Sequence, residues 1–177
     1  MSAIQLIPYD AAWRERFEEE RFRLGELIGD LLDDIHHVGS TSITGLLAKP
    51  KIDIDAVLHS NAVVAEAVER VKELSDFTFH GTPYDDGMWT FVSGHGSWGT
   101  RLYLCGPGNA THTKRILFRD WLRAHPDDAA AYAALKHQLA ADACGDWKFY
   151  TGGKSEFVAR IVEQATAQKA VVRSVKG

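Results

Sequence analysis

Residues 37–55 read HVGSTSITGLLAKPKIDID: a glycine and hydroxyl turn, Gly39-Ser40-Thr41-Ser42, followed by an Asp-x-Asp segment, Asp53-Ile54-Asp55. In Ile52-Asp53-Ile54-Asp55-Ala56-Val57-Leu58 acidic and apolar residues alternate. In a strand this puts both carboxylates on one face and Ile52 and Ile54 on the other. The apolar stretch Ile35 to Val38 reads as a second strand ending in the hydroxyl-rich turn. Paired carboxylates on a strand suit a divalent cation held through hard oxygen ligands. A Gly-Ser turn facing them can bind phosphate oxygens through amides and hydroxyls. Taken singly, each element also has a plain reading, as a mere turn or as an edge strand with its polar face in water. Their order and spacing favour a metal-nucleotide site, in which the ion bridges phosphates and aligns an incoming hydroxyl for in-line attack. The P-loop pattern G-x-x-x-x-G-K-[ST] does not fit, because Gly45 falls at the wrong interval from Gly39 and precedes Leu46.

Working outward, Ala11 to Leu32 shows the helical spacing of Trp13, Phe17, Leu24, Leu27, Ile28 and Leu31, with Asp10 as N-cap. Asn61 to Leu74 predicts a helix capped by Ser60 or Asn61. Short strands are predicted at Phe77 to His80, Met88 to Ser93 and Arg101 to Cys105, the last preceded by a glycine-rich turn expected to be mobile. The last third reads as helical. One helix spans His112 to Arg123 and ends at His125-Pro126, a second runs from Pro126 to about Ala143, and a third covers Lys154 to Gln168. Lys169 to Gly177 is expected to fray.

The 177 residues carry 20 Lys and Arg against 24 Asp and Glu, a net charge of −4. Single-domain organisation over 1–177 follows, with its helical portion at about 112–168, and a basic nucleic-acid coat is disfavoured. Cys105 and Cys144 form neither a metal pair nor a disulfide framework and read as small buried hydrophobes of a reduced protein. Neither a signal sequence nor a membrane-length apolar run is found, so a soluble, cytoplasmic protein is expected.

The stretch His37 to Asp55 is very similar to the signature of the GrpB family, within the nucleotidyltransferase superfamily. Lys114 to Pro126, the Tyr132 to Leu139 helix and Tyr150 to Phe157 with Lys154 also resemble that family. The resemblance implies a nucleotidyltransferase-like α/β (α+β) fold, a short mixed sheet flanked by helices. It places Ser40 in the phosphate turn and Asp53 and Asp55 as catalytic residues and Mg²⁺ ligands. The implied activity moves a nucleoside monophosphate from a nucleoside triphosphate to an acceptor that the residues do not identify. Active transferases usually carry a third carboxylate on a neighbouring strand. Thr100 to Cys105 has none, and Arg101 and Tyr103 stand where family members often read His-x-His. Arg101 facing the acidic pair would compete with a metal, which favours a nucleotide- or phosphometabolite-binding protein with a degenerate site. Asp85 or Asp86 supplies the missing acid only if their turn folds back. A scaffold whose acidic pair binds a partner's cation is a third reading.

Candidate phosphate-binding groups are thus Gly39, Ser40, Thr41, Ser42, Lys49, Arg115, Arg119 and Lys154, with Arg119 and Arg123 alternatively forming a solvated helix face. His36, His37, His95 and His112 show no metal-ligand spacing. Trp121 suits the core, and Trp98 in the glycine loop can stack on a base.

Overall fold

The acidic and apolar alternation at 52–55 is realised in the computed structural model as the strand around which the sheet is built. The structure describes residues 4–94 and 99–176. Strand β2 (Lys51–Leu58) lies between β1 (Leu32–Val38) and β5 (Gly99–Cys105), and β4 (Trp89–Ser93) and β3 (Thr78–Phe79) complete the order β1-β2-β5-β4-β3. β2 and β5 are parallel and the other pairs antiparallel, so the sheet is mixed, as expected. Parallel neighbours need a long crossover, and here it contains helix α2 (Val64–Leu74).

Ile52, Ile54 and Leu58 of β2, with Phe91, Leu102 and Leu104, form the apolar face. It packs on α1 (Ala12–Ile28) through Trp13, Phe17, Leu24 and Ile28, and on α2 through Ala67, Val68 and Val71. Burying each large side chain contributes about 1.5–3 kcal/mol, which fixes the register of β2 and forces Asp53 and Asp55 to the opposite side. Asp10 Oδ1 accepts the Ala12 amide at 2.9 Å, and Ser60 Oγ accepts that of Ala62 at 3.1 Å. α1 stops short of the expected Leu32, because Gly29–Leu31 tightens into a 3-10 turn that leads directly into β1.

The acidic face is covered by the C-terminal helices α3 (Ala110–Ala124), α4 (Pro126–Asp142), α5 (Trp147–Gly152) and α6 (Ser155–Lys176). Helix α6 runs on to Lys176, past the Gln168 expected from periodicity, and the added segment holds no Gly or Pro to interrupt the ladder. The short α5 was not predicted. Its start is fixed by Asp146, whose carboxylate accepts the Lys148 and Phe149 amides at 2.8 and 3.0 Å.

Cys105 is buried, with its thiol pushed up to about 12 by burial and by Asp55. Cys144 is exposed, because it occupies a left-handed turn after α4 at φ +46°. Among the described residues no helix is long and apolar enough to cross a membrane.

Candidate functional site

Between the acidic face of β2 and the C-terminal helices lies a cavity of about 400 Å³. Its floor is the turn after β1. Gly39 has φ +70° and ψ −175°, a conformation essentially reserved for glycine, and a Cβ there would sit 2.6 Å from Asp53 Oδ2. The turn therefore passes against Asp53 only because residue 39 has no side chain. Gly39, Ser40 and Thr41 line the cavity. The Thr41 hydroxyl donates to Lys51 O at 3.1 Å, and the Ser42 hydroxyl donates to Gly39 O at 2.6 Å. Ser42 faces away from the cavity, so of the hydroxyls expected to meet phosphate Ser40 is the one not committed to a backbone carbonyl.

The turn is braced from both sides. His37 stacks on Phe17 with ring centroids 4.8 Å apart, and its Nε2 lies 3.0 Å from Thr41 Oγ1. As that hydroxyl's proton is on Lys51 O, Nε2 is the donor. Burial, with Arg123 and Arg119 nearby, pushes the His37 pKa down to about 4 from an ordinary 6.5. The unfolded chain then holds the extra proton between those values, and stability falls as pH drops from 6.5 toward 4. At about 1.4 kcal/mol per tenfold change in proton affinity, the loss is on the order of 3 kcal/mol. Urea melts of wild type and His37→Gln at pH 7 and pH 4.5 should show this loss shrinking in the variant; equal losses would refute the assignment.

Helix α3 carries His112, Arg115, Arg119 and Arg123 on one face, and its first turn is capped twice. Asn109 Oδ1 accepts the His112 amide and Asp86 Oδ2 accepts the Thr111 amide, each at 2.8 Å. Asp86 is thereby spent on capping, and neither it nor Asp85 lines the cavity. Arg119 donates to His37 O at 3.1 Å and Arg123 to Ser42 O at 2.7 Å. These two side chains reach the turn, while Arg123 keeps 44% of its side chain in solvent as a solvated helix face would; Arg119 also borders the cavity.

The two aspartates have different surroundings. Asp53 lines the cavity, and burial raises its pKa, opposed by the charges of Arg101, Arg115 and Lys49. Asp55 is fully buried: Oδ1 accepts from Arg115 Nη1 at 2.7 Å and Oδ2 lies 3.0 Å from His112 Nδ1. Arg115 also donates to the Tyr84 hydroxyl at 2.7 Å, and its guanidinium lies 3.8 Å over the Tyr103 ring. Arg101 stands opposite Asp53 in the β2–β5 register, and its charge opposes the rise in the Asp53 pKa. The direct competitor for the acidic pair, however, is Arg115. Mg²⁺ on Asp53 and Asp55 would sit beside a fixed positive charge, with each oxygen of Asp55 already in contact with Arg115 or His112. Among the described residues no group of three or more His, Cys, Asp or Glu side chains is placed to hold a metal. The donor set as folded does not match that ion.

Cations crowd the rest of the cavity. Lys49, Lys51, Arg101, Lys114, Arg115, Arg119, Lys136 and Lys154 line it against the single carboxylate of Asp53. Lys49 lies 4.4 Å over Trp147 and Lys154 4.3 Å over Tyr150. Lys136 was not singled out from the sequence. It is 1% exposed, donates to Ser40 Oγ at 3.1 Å and to Leu47 O, and lies over Tyr132. Burial and the charges of Lys154 and Lys49 push its pKa down to about 7; burial, Lys154 and Arg101 push Lys49 down to about 8. The signal for Lys136 was present, because Tyr132, Lys136 and Leu139 are the buried stripe of α4 and a lysine in such a stripe needs a partner. Trp98 and His95 lie outside the described residues.

The family model described as GrpB protein matches residues 3–164. The chain belongs to the GrpB family. The UPF0157 protein YqkA of Bacillus subtilis is 36% identical over 166 residues, covering 94% of this chain and 48% of that protein, so this GrpB chain spans about half the relative's length. The crystal structure of GrpB from Enterococcus faecalis has a TM-score of 0.81 at 26% identity, covering 93% of this chain and 99% of that one. The Cid1 poly(U) polymerase structure with Mg 3'-dATP bound has a TM-score of 0.53 at 11% identity, covering 84% and 49%. At that identity the likeness concerns the fold, which is nucleotidyltransferase-like as the sequence implied.

Proposed function

We propose that this GrpB-family chain binds a phosphate-bearing small molecule of the nucleotide class in the cavity between β2 and the C-terminal helices. The observation that carries the reading is the lining itself, cationic side chains around one carboxylate on a glycine turn. Lys136 is buried and most of the other lining cations are partly so, and like charges gathered in this way are costly unless an anion offsets them. Tyr103, Tyr132 and Tyr150 in the same wall carry the cations of Arg115, Lys136 and Lys154 on their rings, and the nucleotidyltransferase-like fold supports the nucleotide class. Transfer of a nucleoside monophosphate asks in addition for a metal on Asp53 and Asp55. The pairing of Asp55 with Arg115 and His112 favours binding over transfer.

A thermal-shift series with nucleoside mono-, di- and triphosphates tests this. A ligand specific to the native state at 100 times its dissociation constant stabilises by about 2.7 kcal/mol, and no shift with any of them would reject the reading. Asp53→Asn separates binding from transfer. Removal of the one carboxylate from a cationic cavity should strengthen phosphate binding severalfold, whereas the transfer reading expects turnover abolished and affinity lowered.

Binding should also take up protons. Lys49 and Lys136, with pKa values of about 8 and 7, lose charge as pH rises. A nucleoside diphosphate should therefore bind roughly tenfold or more tightly at pH 7 than at pH 9, a gain of about 1.4 kcal/mol. Calorimetry in buffers of different ionisation enthalpy checks the uptake; a pH-independent constant would place both lysines away from the phosphates.

A further inference from the structure

We propose that Arg115 stands in this chain where a divalent cation would otherwise neutralise the ligand, so that the cavity selects the metal-free form of a phosphate ligand. The inference deepens the nucleotide-binding reading and rests on it for the identity of the ligand. Its basis is that the guanidinium is held by two hydrogen bonds and a ring contact beside the acidic pair. Nη1 donates to the fully buried Asp55 and Nη2 to the Tyr84 hydroxyl, both at 2.7 Å, while the plane rests 3.8 Å over Tyr103. Two of the five N–H donors of an arginine are thus used, and the side chain still borders the cavity beside Asp53.

The other Asp55 oxygen is taken by His112 at 3.0 Å, from the doubly capped first turn of the same helix α3, so both oxygens of Asp55 are held by α3. A clamp built this way supplies the charge that phosphoryl-binding sites elsewhere take from an ion. It also has a consequence that a metal site lacks. A di- or triphosphate chelating Mg²⁺ carries a cation toward a permanent guanidinium, and the two repel. A metal-free phosphate meets Arg115 directly, with an arginine fork suited to two oxygens.

Calorimetry with a nucleoside diphosphate in EDTA and in excess Mg²⁺ gives the first readout. At least tenfold weaker binding in Mg²⁺ is expected, with a nucleoside monophosphate changing less than about twofold. Tighter binding in Mg²⁺ would overturn the proposal. The second readout uses Mn²⁺ alone, followed by its electron paramagnetic resonance signal, and needs no nucleotide. Wild type should leave the ion free. Arg115→Gln should gain a site at least tenfold tighter, and Arg115→Lys, which keeps the charge, should not. Equal Mn²⁺ affinity in wild type and Arg115→Gln would show that the guanidinium excludes nothing. If Arg115→Gln does not fold, Mn²⁺ binding to wild type decides by itself. If no nucleotide binds in either buffer, the nucleotide reading fails while the Mn²⁺ comparison still judges Arg115.

Discussion

Replacement of Asp55 by Ala is expected to lower the free energy of unfolding by about 3–5 kcal/mol, the range for breaking a buried ion pair from one side. Asp55 is fully buried, and its two oxygens are shared between Arg115 and His112. The alanine variant leaves the Arg115 guanidinium, whose side chain is 20% exposed, without its counter-charge. The attachment of α3 to β2 runs through this contact, so the loss is felt in the whole C-terminal layer. Urea denaturation followed by circular dichroism measures it. A change under about 1 kcal/mol would mean that the pair is solvated in solution and carries no structural load. Asp53 gives the contrast, since it lines the cavity and its burial already works against its charge. Asp53→Asn should fold as well as wild type. The two acids of one Asp-x-Asp segment thus separate experimentally into a structural and a ligand-facing group.

Gly39→Ala is expected to abolish tight ligand binding, weakening it at least tenfold, and to cost about 1–3 kcal/mol of stability. Two independent effects add at this position. The backbone at φ +70° and ψ −175° is disfavoured for any residue with a side chain, and the new Cβ would lie 2.6 Å from Asp53 Oδ2. The clash is relieved only by moving the turn or the aspartate, and either shift displaces Ser40 from Lys136. Gly45→Ala is the matched control. Its φ is +80° and nothing lies within 4 Å of the added carbon, so it meets backbone strain alone and should keep wild-type affinity. Titration of both variants with a nucleoside diphosphate, alongside their melting temperatures, distinguishes a local collision from general weakening. Wild-type affinity in Gly39→Ala would remove the turn from the binding site.

The residues that line the cavity were legible to different degrees. Gly39, Ser40, Lys49, Asp53 and Lys154 stand out in the sequence because the chemistry of phosphate binding uses such residues close to a turn and a strand, and all of them line the cavity. Arg115 was among the candidates too, but as a phosphate group alone and not as the partner of Asp55. Lys136 lies 96 residues from Ser40, and no local pattern links two positions so far apart. Its place in the buried stripe of α4 marked it as unusual without naming its partner. The hydroxyls of Thr41 and Ser42 show the reverse case. Their type suggested phosphate contact; in the structure Thr41 lines the cavity while its hydroxyl donates to Lys51 O of β2, and the Ser42 hydroxyl donates to Gly39 O.

By itself the sequence determined the alternating strand, the turn before it, the longer amphipathic helices, and membership of the GrpB family. Each depends on periodicity or on contacts a few residues apart, which a linear pattern records directly. Only the tertiary structure decided which groups the Asp-x-Asp pair meets. Asp55 meets Arg115 across 60 residues and His112 across 57, through the docking of α3 on the sheet. Whether a carboxylate faces a metal or a guanidinium is a matter of which charge the fold brings within 3 Å of it. That distance is set by the packing of the helical layer on β2, and residue order alone does not encode it.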